Sequence, residues 1–417
     1  MTNLGGIGLF RYLGAAVVFF FLGRRFCDDD LKLKPNNWTP VSSSSSSTNT
    51  LRGADSNVSS TQSDTNALVE NIPQQQQQVQ PHEQIIQQQQ PTRTWTPLFH
   101  EGITDPWKQK IYAQIDRVRE KCGPLCRINN RHDYDTHGLV DLGKRFKTFQ
   151  TPINCQQLFE MEEIDAGDTS VPYPVPDELK PLYSLDGAIN IAYSYGKQNQ
   201  IYLGGQAKQN VWTIEDIHRD LNLLKEGRLP GSYDARTTNE VRDRLMQQGG
   251  LAGKTVLVVG SQRPWVEVIA LYAGAAKVVT LEYGAIESHH PQISTMTPDV
   301  FRQKYFEKQL PQFDAVLTYS SIEHSGLGRY GDALNPWGDI LSLARCWCVA
   351  KDDAMLLLGV PVGPDAVEFN AHRVYGDIRL PILTTNWVAS DGATSYQSRT
   401  TNLGLHFFRK LPGPAVV

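Results

Sequence analysis

The stretch Thr255–Glu282, TVLVVGSQRPWVEVIALYAGAAKVVTLE, predicts a strand, a turn, a helix and a second strand in succession. The first strand, Thr255–Val259, is an unbroken β-rich apolar run, which is typical of a parallel strand buried on both faces. Gly260 ends this strand, and Ser261 is expected to cap the helix that follows, because its apolar residues recur at helical spacing. The second strand is predicted at Lys277–Leu281.

An acidic residue, Glu282, follows the second strand. In nucleotide-binding sheets, an acidic side chain roughly 20 residues after the glycine of the turn accepts hydrogen bonds from a ribose. The spacing between Gly260 and Glu282 is close to that. The turn itself has one glycine followed by Ser261–Pro264, whereas a full dinucleotide-binding turn has small residues where the backbone approaches a ligand. The sequence therefore predicts a Rossmann-like α/β domain and leaves open whether its turn binds a nucleoside or is filled by side chains.

Strands and helices alternate after Glu282. This alternation implies a doubly wound parallel sheet with helices on both faces, and a ligand site beyond the carboxyl ends of the strands. A capping box, Thr237 with Glu240, is expected to open a helix before the sheet. The predicted later elements are the strands Ile293–Met296, Phe313–Tyr319 and Ala354–Val360, the helices Pro298–Leu310 and Asn335–Ala350, and a final antiparallel pair, Thr384–Val388 with Leu403–Phe408.

The N-terminal residues 1–25 are predicted to form a membrane anchor. Leu4–Leu22 is interrupted by a single charge, Arg11, and is long enough to span a thin bilayer. No small-residue cleavage site follows, so a signal anchor is favoured over a cleaved signal peptide. We expect a single-pass type II protein whose bulk faces the lumen of the endoplasmic reticulum or Golgi, or a secreted protein if the anchor is cleaved.

The segment 26–100 is rich in Ser, Thr, Asn, Gln and Pro, and is predicted to be a disordered stem. Its sequons at Asn37 and Asn57 are candidate glycosylation sites. Residues 101–235 are predicted to be an accessory part of the head, and residues 236–412 the Rossmann-like domain. An anchor, a stem and a head form the plan of a luminal enzyme and equally of a tethered receptor.

Charge and cysteine content exclude some classes of protein. The 40 Lys and Arg residues against 44 Asp and Glu, without a basic stripe interleaved with aromatic residues, argue against nucleic-acid binding. The six cysteines are too scattered for a disulfide scaffold. Cys122 and Cys126 flank a Gly-Pro turn and favour a structural disulfide over two buried thiols, whereas Cys346 and Cys348 are expected to pack in an apolar helix. The loop His132–His137 has possible metal ligands but no second cluster to complete a shell, so no metal site is predicted.

Four segments resemble successive motifs of the class I S-adenosylmethionine-dependent methyltransferase fold: VLVVGSQRPW, VVTLEYG, FDAVLTYSSIEHSGLGRYGD and LLLGVPVG. More narrowly, the chain from about residue 130 to 405, including Phe369–Gly376, resembles a family best represented in nematodes and named only as a protein family of unknown function. The resemblance implies an S-adenosylmethionine cofactor. Gly260 and Ser261 would approach its methionine part, Glu282 would bind its ribose, and Asp299 would lie near its adenine.

The same resemblance implies that Glu323 and His324, after the fourth strand, face the site of methyl transfer. Transfer to a hydroxyl requires removal of a proton, and a histidine with a pKa near neutrality suits that task. His324 is the first candidate for this base. His372, with Arg373 and Tyr375, is a second candidate constellation.

Three hypotheses on function follow. The first is a membrane-anchored methyltransferase that acts on a hydroxyl of a small molecule or a glycan. The second is a non-catalytic binding protein built on a degenerate form of the fold, which the single glycine of the turn suggests. The third is a luminal glycosyltransferase, which only the anchor and stem suggest.

Overall fold

A computed structural model describes residues 96–127, 139–142, 144, 146–162, 171–198, 210–390, 396–397 and 403–412. The predicted anchor, both sequons, the stem up to residue 95 and the loop His132–His137 lie outside these residues. Within the described ranges, no helix combines the length and the apolar character needed to cross a membrane.

The α-helices of the described residues are α1 Pro106–Cys122, α2 Cys155–Glu160, α3 Lys180–Ser184, α4 Ile214–Lys225, α5 Ala235–Gln247, α6 Trp265–Tyr272, α7 Pro298–Phe306, α8 Gly338–Val349 and α9 Arg379–Leu383. The strands are β1 Leu139–Val140, β2 Thr148–Phe149, β3 Asn190–Ala192, β4 Asn210–Trp212, β5 Thr255–Val259, β6 Lys277–Leu281, β7 Ile286–Ser288, β8 Ile293–Met296, β9 Phe313–Tyr319, β10 Ala350–Pro361, β11 Ala366–Glu368, β12 His372–Val374, β13 Trp387–Ala389, β14 Tyr396–Gln397 and β15 Leu403–Lys410.

A mostly parallel sheet forms the centre of the fold. Its strand order is β13-β15-β10-β9-β5-β6-β8, and β14 also pairs with β15. The strands β5, β6, β8, β9 and β10 pair in parallel, whereas β15 runs antiparallel to both β10 and β13. The predicted mixed α/β fold and its final antiparallel pair are therefore confirmed.

The middle strand β5 separates the two halves of the sheet. From β5 the chain proceeds outward through β6 to β8, and then returns to the other side of β5 to form β9 and β10. The strand order thus reverses between β5 and β9, and a ligand crevice is expected beyond the carboxyl ends of these strands.

Helices cover both faces of the sheet. Alternate residues of a strand point to opposite faces. Accordingly, Val256 and Val258 pack in a core with residues of α4, α5 and α6. Leu257 and Val259 pack in a second core with residues of α7 and α8. This burial on both faces explains why β5 is apolar without alternation.

The N-terminal elements share a third core with the later part of the chain. Ile111 and Ile115 of α1 and Leu158 of α2 belong to the same cluster as Ile340 and Leu341 of α8. Helix α8 therefore contacts the sheet with one face and the N-terminal elements with another.

Local capping differs from the sequence prediction at two helices. Asp234, not Thr237, is the N-cap of α5, because its side chain accepts a hydrogen bond from the Thr237 amide. Ser261 does not cap α6: that helix begins at Trp265 after Pro264, and the Ser261 hydroxyl makes other contacts. A capping pattern identifies candidate residues only, since several side chains near a helix start can accept the same amide.

Two disulfide bonds lie in the described residues. Cys122 and Cys126 are bonded, in agreement with the sequence prediction. Cys348 is also bonded, to Cys155 at the start of α2, so the prediction that it only packs in its helix is wrong. Cys346 is a buried free thiol, and burial raises its pKa to about 12. The distance of 193 residues between Cys155 and Cys348 concealed the pair from sequence reasoning.

The two disulfides should differ in their contribution to stability. Removing the bond with a sequence separation of 193 residues should cost more than removing the one with a separation of 4, because the entropy of loop closure grows with loop length. In that model the double variant Cys155→Ala/Cys348→Ala should lose about 3 kcal/mol more free energy of unfolding than Cys122→Ala/Cys126→Ala. Urea denaturation of the full-length chain measures both losses, and equal losses would contradict the expectation.

Candidate functional site

A cavity of about 350 Å³ lies where the strand order reverses. It opens beyond the carboxyl ends of β5, β6 and β9, as expected for a doubly wound sheet. Its volume is in the range of small-molecule sites. Four residues predicted from the sequence or the family resemblance line it together: Gly260, Ser261, Glu282 and His324.

The turn after β5 brings two strand ends into contact. Gly260 has a φ of +76°, and a Cβ built on it would lie 1.7 Å from the Ser321 Oγ, in the loop after β9. Only glycine adopts this conformation without strain and allows this approach. The single glycine of the turn therefore stands where a side chain would both strain the backbone and collide with Ser321.

Glu282 is held by backbone amides at the cavity wall. The Ser261 amide donates to its Oε2 at 2.7 Å, and the Tyr283 amide donates to its Oε1 at 2.8 Å. Burial raises the pKa of Glu282, and these amide donors oppose that effect. Each carboxylate oxygen has a further lone pair. The carboxylate is thus oriented by the protein and can still accept hydrogen bonds from a ligand.

A buried carboxyl group, Glu267 of α6, lies beneath the turn. It is fully buried, its Oε1 accepts from the Thr280 hydroxyl at 2.7 Å, and its Oε2 lies 2.9 Å from the Ser261 Oγ. Burial raises its pKa to about 7. The Ser261 hydroxyl also lies 2.7 Å from the Arg263 carbonyl oxygen. Because one hydroxyl has one proton, a protonated Glu267 can donate to Ser261 while Ser261 donates to that carbonyl.

The large side chains of the turn do not fill the cavity. Arg263 is exposed and is not among the lining residues. Trp265 lines the cavity but is itself buried in the core beside the sheet, where its ring contacts that of Tyr319 edge-to-face at 5.2 Å between centroids. The turn therefore leaves room for a ligand despite its lack of further glycines.

His324 is held neutral beside the cavity. Its Nδ1 lies 2.6 Å from the Ala371 carbonyl oxygen, which can only accept, so this nitrogen carries the proton. Burial, and then the charge of Arg329, lower its pKa to about 3. The Nε2 atom has the lone pair. The sequence expectation of a histidine with a pKa near neutrality does not hold. The Glu323 Oε1 lies 3.7 Å from the His324 Nε2, but burial raises the pKa of that carboxyl group and so favours its neutral form, which does not offset the loss of solvent around His324.

Glu323 lies behind the cavity wall rather than in it. Its side chain is 1% exposed, and its Oε1 accepts from the Ser320 hydroxyl at 2.7 Å. Its Oε2 is buried without a hydrogen-bond partner in the described part of the chain. Burial raises the pKa of Glu323 to about 7. Ser320 itself lines the cavity, so it connects the carboxyl group to the site.

The other predicted residues lie outside the cavity. Asp299 is exposed at the start of α7, where it accepts from the Thr297 hydroxyl. His372 is half-buried, with its ring centroid 6.4 Å from that of His324. Arg373 and Tyr375 are fully buried beneath the site. Nothing in the structure tests the roles assigned to these residues, and they stay predictions.

Arg373 and Tyr375 belong to a buried ion cluster around Asp339. Arg379 donates to both oxygens of Asp339, at 2.9 and 2.7 Å, and the Tyr375 hydroxyl donates at 3.0 Å. Burial alone would raise the pKa of Asp339, but Arg373 and Arg379 outweigh it and hold that pKa below its ordinary value. Arg373 also donates to the Ser325 carbonyl at 2.6 Å. The cluster therefore fixes the backbone next to His324.

A glycine-rich loop completes the wall of the cavity. Asp332 accepts from the amides of Gly326, Gly328 and Tyr330 at 2.7, 3.3 and 3.2 Å, which holds the loop closed on itself. Arg329, from the same loop, lines the cavity. Sequence reasoning missed Arg329 as a site residue, although it lies in the segment FDAVLTYSSIEHSGLGRYGD on which the fold resemblance rests.

Comparison with known families covers this same region. Residues 253–405 match the family model described as Caenorhabditis protein of unknown function, DUF268. The family inferred from the sequence motifs is thus confirmed over these residues. The match begins just before β5 and includes the whole central sheet from β5 to the first residues of β15. No curated protein matches the chain.

Solved structures similar to the chain include methyltransferases. The N-methyltransferase NodS from Bradyrhizobium japonicum WM9 is 11% identical, covers 42% of this chain and 96% of its own, and has a TM-score of 0.27. The magnesium protoporphyrin IX methyltransferase (ChlM) from Synechocystis PCC 6803 with bound SAM is 14% identical, covers 50% and 87%, and has a TM-score of 0.30. A putative hemolysin from Streptococcus thermophilus is 13% identical, covers 45% and 70%, and has a TM-score of 0.31. Similarity at this level carries no argument, and the conclusions below rest on strand order and site geometry.

Two glycine substitutions should separate backbone strain from collision. Gly249 has a φ of +95°, and nothing lies within 4 Å of a Cβ built on it. Gly249→Ala should therefore lower the free energy of unfolding only by the roughly 1 to 2 kcal/mol that a left-handed backbone costs a residue with a side chain. Gly260→Ala must also displace Ser321 and should cost about 1 to 3 kcal/mol more. Chemical denaturation measures both, and equal costs would show that Ser321 moves aside freely.

Stability should fall with rising pH through the titration of Glu267. Its pKa is about 7 in the folded chain against an ordinary value of 4.5, so the folded state retains the proton more tightly. This contribution, on the order of 3 kcal/mol, is complete below pH 4.5 and is lost as the pH rises past 7. Glu267→Gln should remove that part of the slope, because an amide can donate to Ser261 at every pH.

The matched control for this titration is Glu307→Gln. Glu307 is an exposed glutamate that accepts a hydrogen bond from the neutral Gln303, and its substitution should leave the pH slope unchanged. Free energies of unfolding between pH 4 and pH 9 provide the measurement. A slope in Glu267→Gln that equals the wild-type slope would refute the assignment.

Proposed function

We propose that this protein is an S-adenosylmethionine-dependent methyltransferase that acts on a hydroxyl group of a small molecule or a glycan. The observation that carries the proposal is the position of Glu282. Its carboxylate is oriented by the Ser261 and Tyr283 amides at the end of β6, in a cavity at the point where strand order reverses. This is the position at which an acid binds ribose hydroxyls in nucleotide-binding sheets.

The residues of the turn suit the proposed cofactor. Gly260 and Ser261 line the cavity where the methionine part would approach, and Glu282 offers free lone pairs to the ribose. A smaller cavity of about 50 Å³ lies next to Glu282, and the residues Val259, Leu281 and Phe301 in its wall offer an apolar surface to one edge of an adenine ring. The cofactor supplies a sulfonium-bound methyl group, so the chain itself needs only to position the acceptor and remove its proton.

Glu323 is the stronger candidate for the proton acceptor. A base works best when its pKa lies near the operating pH. The pKa of Glu323 is about 7, whereas that of His324 is about 3. In the proposed arrangement, the acceptor hydroxyl donates its hydrogen bond to the Ser320 Oγ, and the Nε2 of His324 accepts from another donor of the substrate and orients it. On methyl transfer the acceptor proton passes to Ser320 while the Ser320 proton passes to Glu323, whose Oε1 is 2.7 Å away.

The proposed location is the lumen of the endoplasmic reticulum or Golgi, with residues 1–25 as a type II anchor, or outside the cell if that anchor is cleaved. The two disulfide bonds support this proposal, because such bonds persist mainly in oxidising compartments. A glycan or a small molecule of the secretory pathway is then the accessible acceptor.

Cofactor binding tests the proposal directly. Calorimetry of the full-length chain should detect S-adenosylmethionine binding, and Glu282→Ala should weaken it by about 5- to 150-fold through lost charge-assisted hydrogen bonds. Glu287→Ala, an acidic residue outside the cavity, should bind as the wild type does. A folded chain that releases no heat at high micromolar cofactor would refute the proposal.

A second outcome would favour the non-catalytic binding protein. Binding of the cofactor without methyl transfer to any hydroxyl acceptor would support it. The low pKa of His324 supports this second hypothesis, because a group with a low pKa is a weak base.

A further inference from the structure

One charged group in the cavity has no counter-charge. The guanidinium of Arg329 lines the cavity, and its Nη1 donates to the Ala371 carbonyl at 3.2 Å. Its Nε is buried without a hydrogen-bond partner, and no carboxylate pairs with it among the residues that the structure describes. A guanidinium is always charged and has five donors in a planar fork. Four of these donors are not used by Ala371.

Two acids in the surroundings of Arg329 are engaged elsewhere. Asp332 uses its oxygens for the amides of Gly326, Gly328 and Tyr330. Glu323 accepts from Ser320, and burial favours its neutral form. A partly buried charge without a partner is unfavourable, so its presence at a cavity wall indicates that a ligand supplies the partner.

The surroundings of Arg329 favour a flat acid. Its guanidinium lies 5.2 Å from the ring centroid of Tyr330, and His324 contacts the same ring edge-to-face. Tyr319 also lines the cavity, in edge contact with Tyr233 and Trp265. The neutral His324 adds no positive charge that would compete with Arg329 for an anion. The lining thus combines one cation and several aromatic rings with the carboxylate of Glu282, which the Ser261 and Tyr283 amides already hold.

We propose that Arg329 binds the carboxylate group of a ligand in this cavity through its planar fork. Two ligands can supply such a group: an acceptor that is itself a carboxylic acid, and the methionine part of the cofactor. The second source rests on the proposed function, whereas the first does not. The planar fork matches the two oxygens of a carboxylate, which a point charge such as lysine does not.

Four ligands test the proposal in matched pairs. 4-Hydroxybenzoate is compared with its neutral counterpart 4-hydroxybenzamide, and S-adenosylhomocysteine with 5′-methylthioadenosine, which lacks the amino-acid group. Binding to the full-length chain is measured by calorimetry, or by ligand-observed NMR for the weaker pair. Arg329→Gln should lower the affinity for at least one acid by about tenfold or more, and leave its neutral counterpart within about twofold.

Two further variants keep the test decisive. Arg263→Gln removes the same charge from an exposed position near the cavity and should bind all four ligands as the wild type does. Arg329→Lys retains the charge without the fork, and its affinity for the acid should fall between those of the wild type and Arg329→Gln. This variant also provides the measurement if Arg329→Gln does not fold.

The outcomes identify the source of the carboxylate. A loss confined to 4-hydroxybenzoate assigns Arg329 to the acceptor, and a loss confined to S-adenosylhomocysteine assigns it to the cofactor. If the wild type binds 4-hydroxybenzoate but no nucleoside, the proposed function fails and the anion site stands. The proposal is overturned if the wild type prefers neither acid to its neutral counterpart, or if Arg329→Gln and Arg263→Gln bind alike.

Discussion

The contact between the backbone at Gly260 and the Ser321 side chain is the constraint on which the site depends. It holds the ends of β5 and β9 together at the point where strand order reverses, and only a residue without a side chain permits it. The next amide, that of Ser261, is thereby directed at Glu282. The absence of a side chain at Gly260 thus determines the spacing of the ends of β5 and β9 and the orientation of Glu282.

Three buried carboxyl groups around the site are accommodated in different ways. Asp339 remains charged because two guanidiniums surround it. Glu267 has no such partner, and the charge of Arg329 does not outweigh burial at Glu323, so the pKa of each is raised to about 7. The contrast follows from one rule: nearby cations favour the charged form of a buried acid, whereas the loss of water favours its neutral form. The ion cluster is structural, whereas the groups that titrate near neutrality lie directly behind the cavity wall.

Much of the fold was predictable because periodicity and strand order are local signals. The boundaries of β5, β6, β8 and β9 match the predicted strands, and the family match covers residues 253–405 of the longer stretch, from about residue 130 to 405, over which the resemblance was stated. What the sequence could not provide was long-range. The pairing of Cys155 with Cys348, the charge state of His324 and the lack of a carboxylate partner for Arg329 among the described residues all depend on contacts between distant segments. Desolvation, which sets the pKa of His324, has no signature in the order of residues.

The bond between Cys155 and Cys348 has a consequence for the order in which the chain is made. During synthesis Cys155 emerges long before its partner, and Cys346 emerges just ahead of Cys348 as a competing thiol. The two cysteines lie on different faces of α8, because positions two apart in a helix point in different directions. Cys346 is buried in the core beneath the sheet, while Cys348 also contacts the N-terminal core. Helix geometry, rather than proximity in sequence, therefore distinguishes the partner of Cys155 from the competing thiol.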